Sequence, residues 1–203
     1  MTTPMSTETR EAGPEPAVRL RRATPDDAEM MLGWRTEPSA SRFQPLLPLT
    51  SADLRSLLAE TADLPLDPRF AGRTRWIVEA NGQPVGTISL TVESREHGIG
   101  AIGYGIGERH RGNGYATGAV RALLPLAFSP DGADLWRLEA VAATDNETSR
   151  RVLERCGFQL EGIARSYFLI RGRRVDHARY ALLPEEWEQT RSTERRHPEP
   201  APL

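Results

Sequence analysis

Ten consecutive residues, Gly107-Glu108-Arg109-His110-Arg111-Gly112-Asn113-Gly114-Tyr115-Ala116, hold three glycines and two arginines and follow the apolar-rich run 101–106. A strand that runs into a glycine-rich turn and then a helix leaves several backbone N–H groups aimed at one place, reinforced by the positive end of the helix dipole. The chemistry this implies is anion binding. Gly112 and Gly114 permit a close backbone approach that a Cβ would block, and Arg109 or Arg111 can add charge-assisted bonds to a phosphate. The competing reading is an ordinary strand-to-helix turn whose glycines serve only its tightness. A Walker loop is excluded because it ends in Gly-Lys-Ser/Thr and the chain has no lysine. A dinucleotide fingerprint is excluded because Gly105-Ile106-Gly107 is followed by His110 where the third glycine belongs.

The elements that must hold this loop are read from periodicity and turn chemistry. Thr24-Pro25-Asp26-Asp27 and Thr50-Ser51-Ala52-Asp53 each open a capped short helix, with a loop between them. Two strand-like runs, 75–80 and 84–92, flank Asn81-Gly82 and predict a hairpin. A third strand ends at Ile106. After the loop, Val120, Leu123, Leu124 and Ala127 recur at helical spacing, although Gly118 and Pro125 weaken that helix. A strand over 137–142, a helix over 146–156 stopped by Gly157, and strand-like runs around 163–170 and 176–182 complete a mixed α/β pattern.

Two segments then carry a family resemblance. Arg111-Gly112-Asn113-Gly114-Tyr115-Ala116 resembles the pyrophosphate loop of the GNAT superfamily of acetyl-CoA-dependent N-acetyltransferases, written R/Q-x-x-G-x-G/A; Arg109 to Gly114 fits the same pattern one register earlier. Asn146 to Phe158 resembles the family's N-x-x-S-x-x-x-x-x-x-x-G-F segment at the expected distance. The closing stretch from Asp176 to Trp187 is similar to the end of the branch that acetylates N-termini of ribosomal proteins, the RimJ/RimL-like branch. That branch also contains enzymes acting on small amines.

The resemblance implies a mixed α/β (α+β), mostly antiparallel sheet of about six to seven strands, splayed in the middle, with about four helices. It covers residues 18–188, flanked by tails at 1–17 and 189–203 whose Thr, Glu and Pro content cannot bury enough surface to order itself. It also implies acetyl-CoA as cosubstrate and no metal. Its diphosphate is expected at Arg109, Arg111, Gly112, Asn113, Gly114, Tyr115 and Ala116, its pantetheine arm beside Ile106, Gly107, Asn146 and Ser149. Gly103, Gly105 and Gly107 suit a bulged strand, and an N–H near Ile106 suits a developing oxyanion. The acetyl group would pass to a primary amine, a protein N-terminus or a small molecule, by direct attack.

Such transfer needs an acid near the sulfur and a base near the amine. Asn146 and Ser149, three apart, share a helix face, and Ser149 is the candidate donor to the thiolate. The bland alternative is a helix N-cap followed by an exposed serine. Glu139, on the other strand face from Leu138 and Ala140, is the candidate base; the alternative is a solvated carboxylate. The chain has no carboxylate between Gly162 and Asp176, where some members of the branch place one. Cys156 reads as a small core residue. A non-catalytic acyl-CoA-binding module and a dinucleotide-dependent enzyme remain as rival readings.

Composition bounds the rest. The chain has 203 residues, 38% hydrophobic and 27% charged, with a formal charge of −2, so it carries no nucleic-acid footprint and no membrane-spanning run. All 26 basic residues are arginine, which excludes lysine chemistry such as Schiff-base formation. One cysteine and a start without a basic, apolar leader point to a cytoplasmic protein. Homodimerisation is compatible with the branch but leaves no mark in the sequence.

Overall fold

The computed structural model describes residues 17–61, 64, 66 and 71–196; the tails at 1–16 and 197–203 and residues 62, 63, 65 and 67–70 lie outside the described residues. Seven strands form one sheet: β1 (Val18–Arg22), β2 (Gly72–Ala80), β3 (Gln83–Ser94), β4 (Ile99–Ile106), β5 (Arg137–Ala143), β6 (Gln159–Ile170) and β7 (Arg173–Leu182). Their order is β1-β2-β3-β4-β5-β7-β6. Every pair is antiparallel except β4–β5, where α3 (Tyr115–Phe128) carries the chain back across the sheet and makes the following strand parallel.

Local chemistry accounts for the joints. Asn81 (φ 52°) and Gly82 (φ 72°) make the left-handed pair that turns β2 into β3, and Arg171 (φ 48°) with Gly172 (φ 74°) does the same between β6 and β7. Asp27 accepts from the Thr24 N–H and hydroxyl ahead of α1 (Ala28–Thr36). Asp53 does so for Thr50 ahead of α2 (Ser51–Thr61), with Thr50 returning a bond to the Asp53 N–H. The helix after β5, α4 (Glu147–Arg155), is capped by Asn146 and stopped at Gly157, φ 89°.

Each sheet face buries a different set of helices. Trp76, Val78, Ile88, Leu90, Ile102, Leu138 and Ala140 join Val120, Leu123 and Leu124 of α3 and Leu153 of α4 in the larger core. Ile77 alternates to the opposite face, where it packs with Ala28, Met31, Leu54 and Leu58 of α1 and α2. Residues of even number on β4 therefore face α3 and α4; Gly103 and Gly105 face the other way.

Four features add to or depart from the sequence reading. β1, not foreseen, is a strand because Arg21 is neutralised by Glu79 (2.9 Å) and Asp27 (2.8 Å) while its backbone pairs β2. A fifth helix, α5 (Pro184–Arg196), carries the ordered chain past the boundary at 188, with Trp187 against the Phe128 ring at 5.5 Å. α3 runs through Pro125, which sits in its last turn and still accepts from the Ser129 N–H. The predicted bulge is absent: β4 pairs β3 without a register shift from Gly100 to Ile106, and the break lies on its other edge.

Candidate active site

That break opens the site. β4 and β5 pair only at Ile99–Arg137, Gly100–Leu138 and Ala101–Glu139, and beyond Ala101 the two strands diverge into a V. The direction of the exposed backbone follows from alternation. Gly98 O accepts from Arg137 N, Tyr104 O from Gln44 Nε2 and Ile106 O from Arg111 Nε, so the even residues of β4 turn their polar groups away from β3. The N–H groups of Tyr104 and Ile106 thus line one wall of the V.

At the mouth lies the loop. Gly112 (φ 80°) and Gly114 (φ 75°) hold left-handed conformations, and a Cβ on Gly112 would meet only open space within 4 Å. The first bond of α3 runs from the Gly118 N–H to the Gly114 carbonyl. Among the described residues, no hydrogen bond engages the preceding N–H groups of residues 112–117. Open space beside a left-handed glycine, faced by free N–H groups at a helix start, fits a diphosphate.

Deeper in the V, Tyr104 reaches from β4 to the first turn of α4. Its hydroxyl lies 2.9 Å from Ser149 Oγ and donates toward the Ser149 carbonyl at 3.2 Å. Burial pushes the Tyr104 phenol well above its ordinary range despite the opposing bond to Ser149, so it stays protonated. A seated hydroxyl pair thus bridges β4 and the first turn of α4.

The family assignment follows from this arrangement together with a model of the acetyltransferase (GNAT) domain that matches residues 17–159. The chain belongs to the GNAT acetyltransferases. It is 30% identical over 169 residues to the uncharacterized N-acetyltransferase p20 of Bacillus licheniformis, covering 83% of this chain and 93% of that one. Among solved structures, RimJ of Mycobacterium smegmatis in complex with CoA-disulfide superposes with a TM-score of 0.73 at 23% identity, over 88% of this chain and 90% of that one. Spermidine N-acetyltransferase of Vibrio cholerae in complex with CoA and spermine gives 0.73 at 20%, over 85% and 98%. The protein is therefore an acyltransferase of a fold that uses acetyl-CoA, with the mixed, centrally splayed sheet its motifs implied.

Within the GNAT frame the expected site residues divide. Gly112, Gly114, Tyr115 and Ala116 build the loop and helix start, and Ile106 presents its N–H to the V. Asn113 folds inward, its Nδ2 donating to the His110 and Arg111 carbonyls, both at 3.1 Å, and so shapes the loop. Gly107 seats on Val85 through its N–H, with Trp34 against its Cα. Arg111 is a strut: Nε donates to Ile106 O at 2.9 Å and Nη1 to Ser39 Oγ at 2.6 Å, with Glu37 at 3.7 Å. Arg109 stays exposed, stacked by a bond to His110, and is the arginine placed for solvent-side charge.

On α4, Asn146 is the N-cap, its Oδ1 accepting from the Ser149 N–H at 3.2 Å, so the bland reading of Asn146 is the observed one. It also orients the turn that carries Ser149. Glu139, read as a base, is engaged on both oxygens, by Arg137 at 2.7 Å and Arg179 at 3.4 Å; Arg137 also pairs with Glu161. The role of base has no geometric support there; the carboxylate ties β5 to β7, and Arg137 carries the link on to Glu161 of β6. Cys156 is buried, its thiol toward the Thr117 carbonyl at 3.7 Å, as a core residue. Among the described residues no cluster of His, Cys, Asp or Glu is placed to hold a metal, and no helix is long and apolar enough to cross a membrane.

Sequence reading missed Tyr104, because one tyrosine in a strand carries no spacing signal until the strand across from it is known. It also missed the contact between the β6–β7 turn and the segment after α1, where Arg171 donates to Pro38 O (2.9 Å) and Ser41 Oγ (2.7 Å).

Proposed function

We propose that this protein moves the acetyl group of acetyl-CoA onto a primary amine by direct attack inside the V, with Ser149 as hydrogen-bond donor to the departing sulfur. The observation that carries the reading is the Tyr104–Ser149 hydroxyl pair beside the unpaired edge of β4. The thioester supplies an activated acyl group; the rest is the work of the chain. The N–H groups of residues 112–117 hold the diphosphate, and the edge of β4 pairs the pantetheine arm as an added strand would. The N–H of Ile106 or Tyr104 receives the acyl oxygen as charge develops on it.

Proton traffic follows from what each hydroxyl can give. Tyr104 keeps its proton and donates it to Ser149, either to the carbonyl or to Oγ, which leaves the Ser149 proton for the sulfur. Tyr104 is then a positioning residue. With Glu139 held by two arginines, the acceptor amine enters as the free base and loses its second proton to solvent in the open V.

The test is thiol release from acetyl-CoA with a panel of amines and short peptides, with mass spectrometry of the product. Turnover that falls when Ser149 is replaced supports the reading. CoA-dependent stabilisation with no thiol release on any acceptor would favour a binding module instead.

A further inference from the structure

We propose that the acceptor amine carries an anionic group, a carboxylate or a phosphate, bound by Arg35, Arg73 and Arg75 on the face of the sheet opposite α3; this rests on the acetyl-transfer reading. Arg73 and Arg75 alternate with Ile77 on β2 and so share its face, and Arg35 comes down to them from the last turn of α1. Register then leads from these side chains to the V. Arg75 lies opposite Ser89, which lies opposite Gly103; Arg73 lies opposite Thr91, which lies opposite Ala101, the last β4 residue before the strands part.

Two strand spacings, about 10 Å, separate the Arg75 and Gly103 backbones. An arginine side chain covers most of that span. Nothing on β4 blocks the way, since a Cβ on Gly105 would meet nothing within 4 Å and one on Gly103 only Ser89 Oγ at 3.4 Å. A molecule with its amine at the V and its anion on Arg75 is thus of amino-acid or amino-phosphate size, or the first residues of an acidic peptide.

The charge state of the trio is the second argument. Arg21, Arg111, Arg137, Arg151 and Arg179 all pair with carboxylates. Among the described residues none pairs with Arg35, Arg73 or Arg75. Arg35 donates to the Leu47 carbonyl (3.1 Å), Arg73 to Thr91 Oγ1 (2.8 Å), and among the described residues the Arg75 guanidinium makes no hydrogen bond. Burial, then mutual repulsion, pushes Arg35 and Arg75 below their ordinary value. Three guanidinium groups gathered without a counter-charge among the described residues repel one another, and a forked, charge-assisted contact to an anion relieves that repulsion. A polyamine would add to it.

The experiment compares 2-aminoethyl phosphate and β-alanine with ethanolamine and spermidine, and an Asp-initiated peptide with an Ala-initiated one, in the thiol-release assay. The expected result is at least a tenfold preference in kcat/KM for the anionic member, collapsing toward one in Arg75→Gln. Arg73→Gln, at an exposed position, serves if Arg75→Gln does not fold. Equal or better use of ethanolamine or spermidine, or a preference indifferent to both substitutions, overturns the proposal. If no amine is acetylated, the acetyl-transfer reading fails, and calorimetry with 2-aminoethyl phosphate on the CoA-loaded protein decides the anion site separately. Heat that disappears in Arg73→Gln supports it, and no heat overturns it.

Discussion

Replacing Ser149 by alanine removes one oxygen from the junction between α4 and β4, and its effect can be worked out in two parts. The static part is the bond to Tyr104, a neutral pair at 2.9 Å, worth about 0.5–1.5 kcal/mol of stability. A melting curve should therefore move by a few degrees at most. The kinetic part is larger. A hydrogen bond to a charged sulfur is worth about 1.5–3 kcal/mol, so kcat should fall by roughly 10- to 150-fold at about 1.4 kcal/mol per decade. Tyr104→Phe leaves the serine in place but unoriented and should cost about 2- to 10-fold.

The two changes should not add. In the double variant, Tyr104→Phe has no serine left to position, so it should cost nothing beyond Ser149→Ala, and the coupling should equal the whole tyrosine effect. The assay is pre-steady-state thiol release at saturating acetyl-CoA, with circular dichroism as the check on folding. A Ser149→Ala enzyme within twofold of wild type would refute the donor role. Additive losses would show that Tyr104 acts on the substrate by itself.

Three further outcomes are expected. Gly112→Ala forces an L-residue to φ 80° at about 1–2 kcal/mol and puts a methyl into the open cradle, so calorimetry should show CoA affinity down by tenfold or more in a protein that still folds. Glu139→Gln should lower kcat/KM by less than about fivefold, since a partly exposed ion pair contributes only about 0–1 kcal/mol; a loss of about 100-fold or more would restore it as the base. Burial alone would raise the Asp27 carboxyl, but hydrogen bonds from Arg21 and Thr24 outweigh it and hold the group below the usual carboxylate range. Its stabilisation is therefore present above about pH 4 and lost as pH falls through its depressed folded-state value. The melting difference between wild type and Asp27→Asn should be full at pH 7 and vanish in strong acid; a constant difference refutes the argument.

What was legible in the chain was the chemistry written locally. Asn81-Gly82, Thr24 with Asp27, Thr50 with Asp53 and Gly157 each fix a turn or a cap through their own side chains or φ angles, and each appeared where expected. The left-handed glycine turn at Gly112 and Gly114 was legible for the same reason. Features set by distant partners were not. β1 reads as Val-Arg-Leu-Arg-Arg, and only Glu79 and Asp27, far along the sheet or past a turn, make its charge tolerable. α5 has one aromatic anchor, Trp187, among acids and arginines, so its periodicity is too weak to announce a helix. The strut role of Arg111 depended on where Ser39 and Ile106 O would lie, and the occupation of Glu139 depended on β7 delivering Arg179 beside it.

The seam between β4 and β5 has a further consequence. Only three rungs join the left leaf of the sheet to the right one, while the strands within each leaf pair over six or more positions, apart from the shorter five-residue β1–β2 pairing. A ligand whose amide-bearing arm lies along that seam supplies rungs the polypeptide lacks, and so belongs to the architecture as much as to the reaction. At a hundred times its dissociation constant such a ligand adds about 2.7 kcal/mol to the folded state. Amide exchange at residues 102–106 should slow when CoA is added, and the heat tolerance of this enzyme in a cell should rise and fall with the local supply of acyl donors.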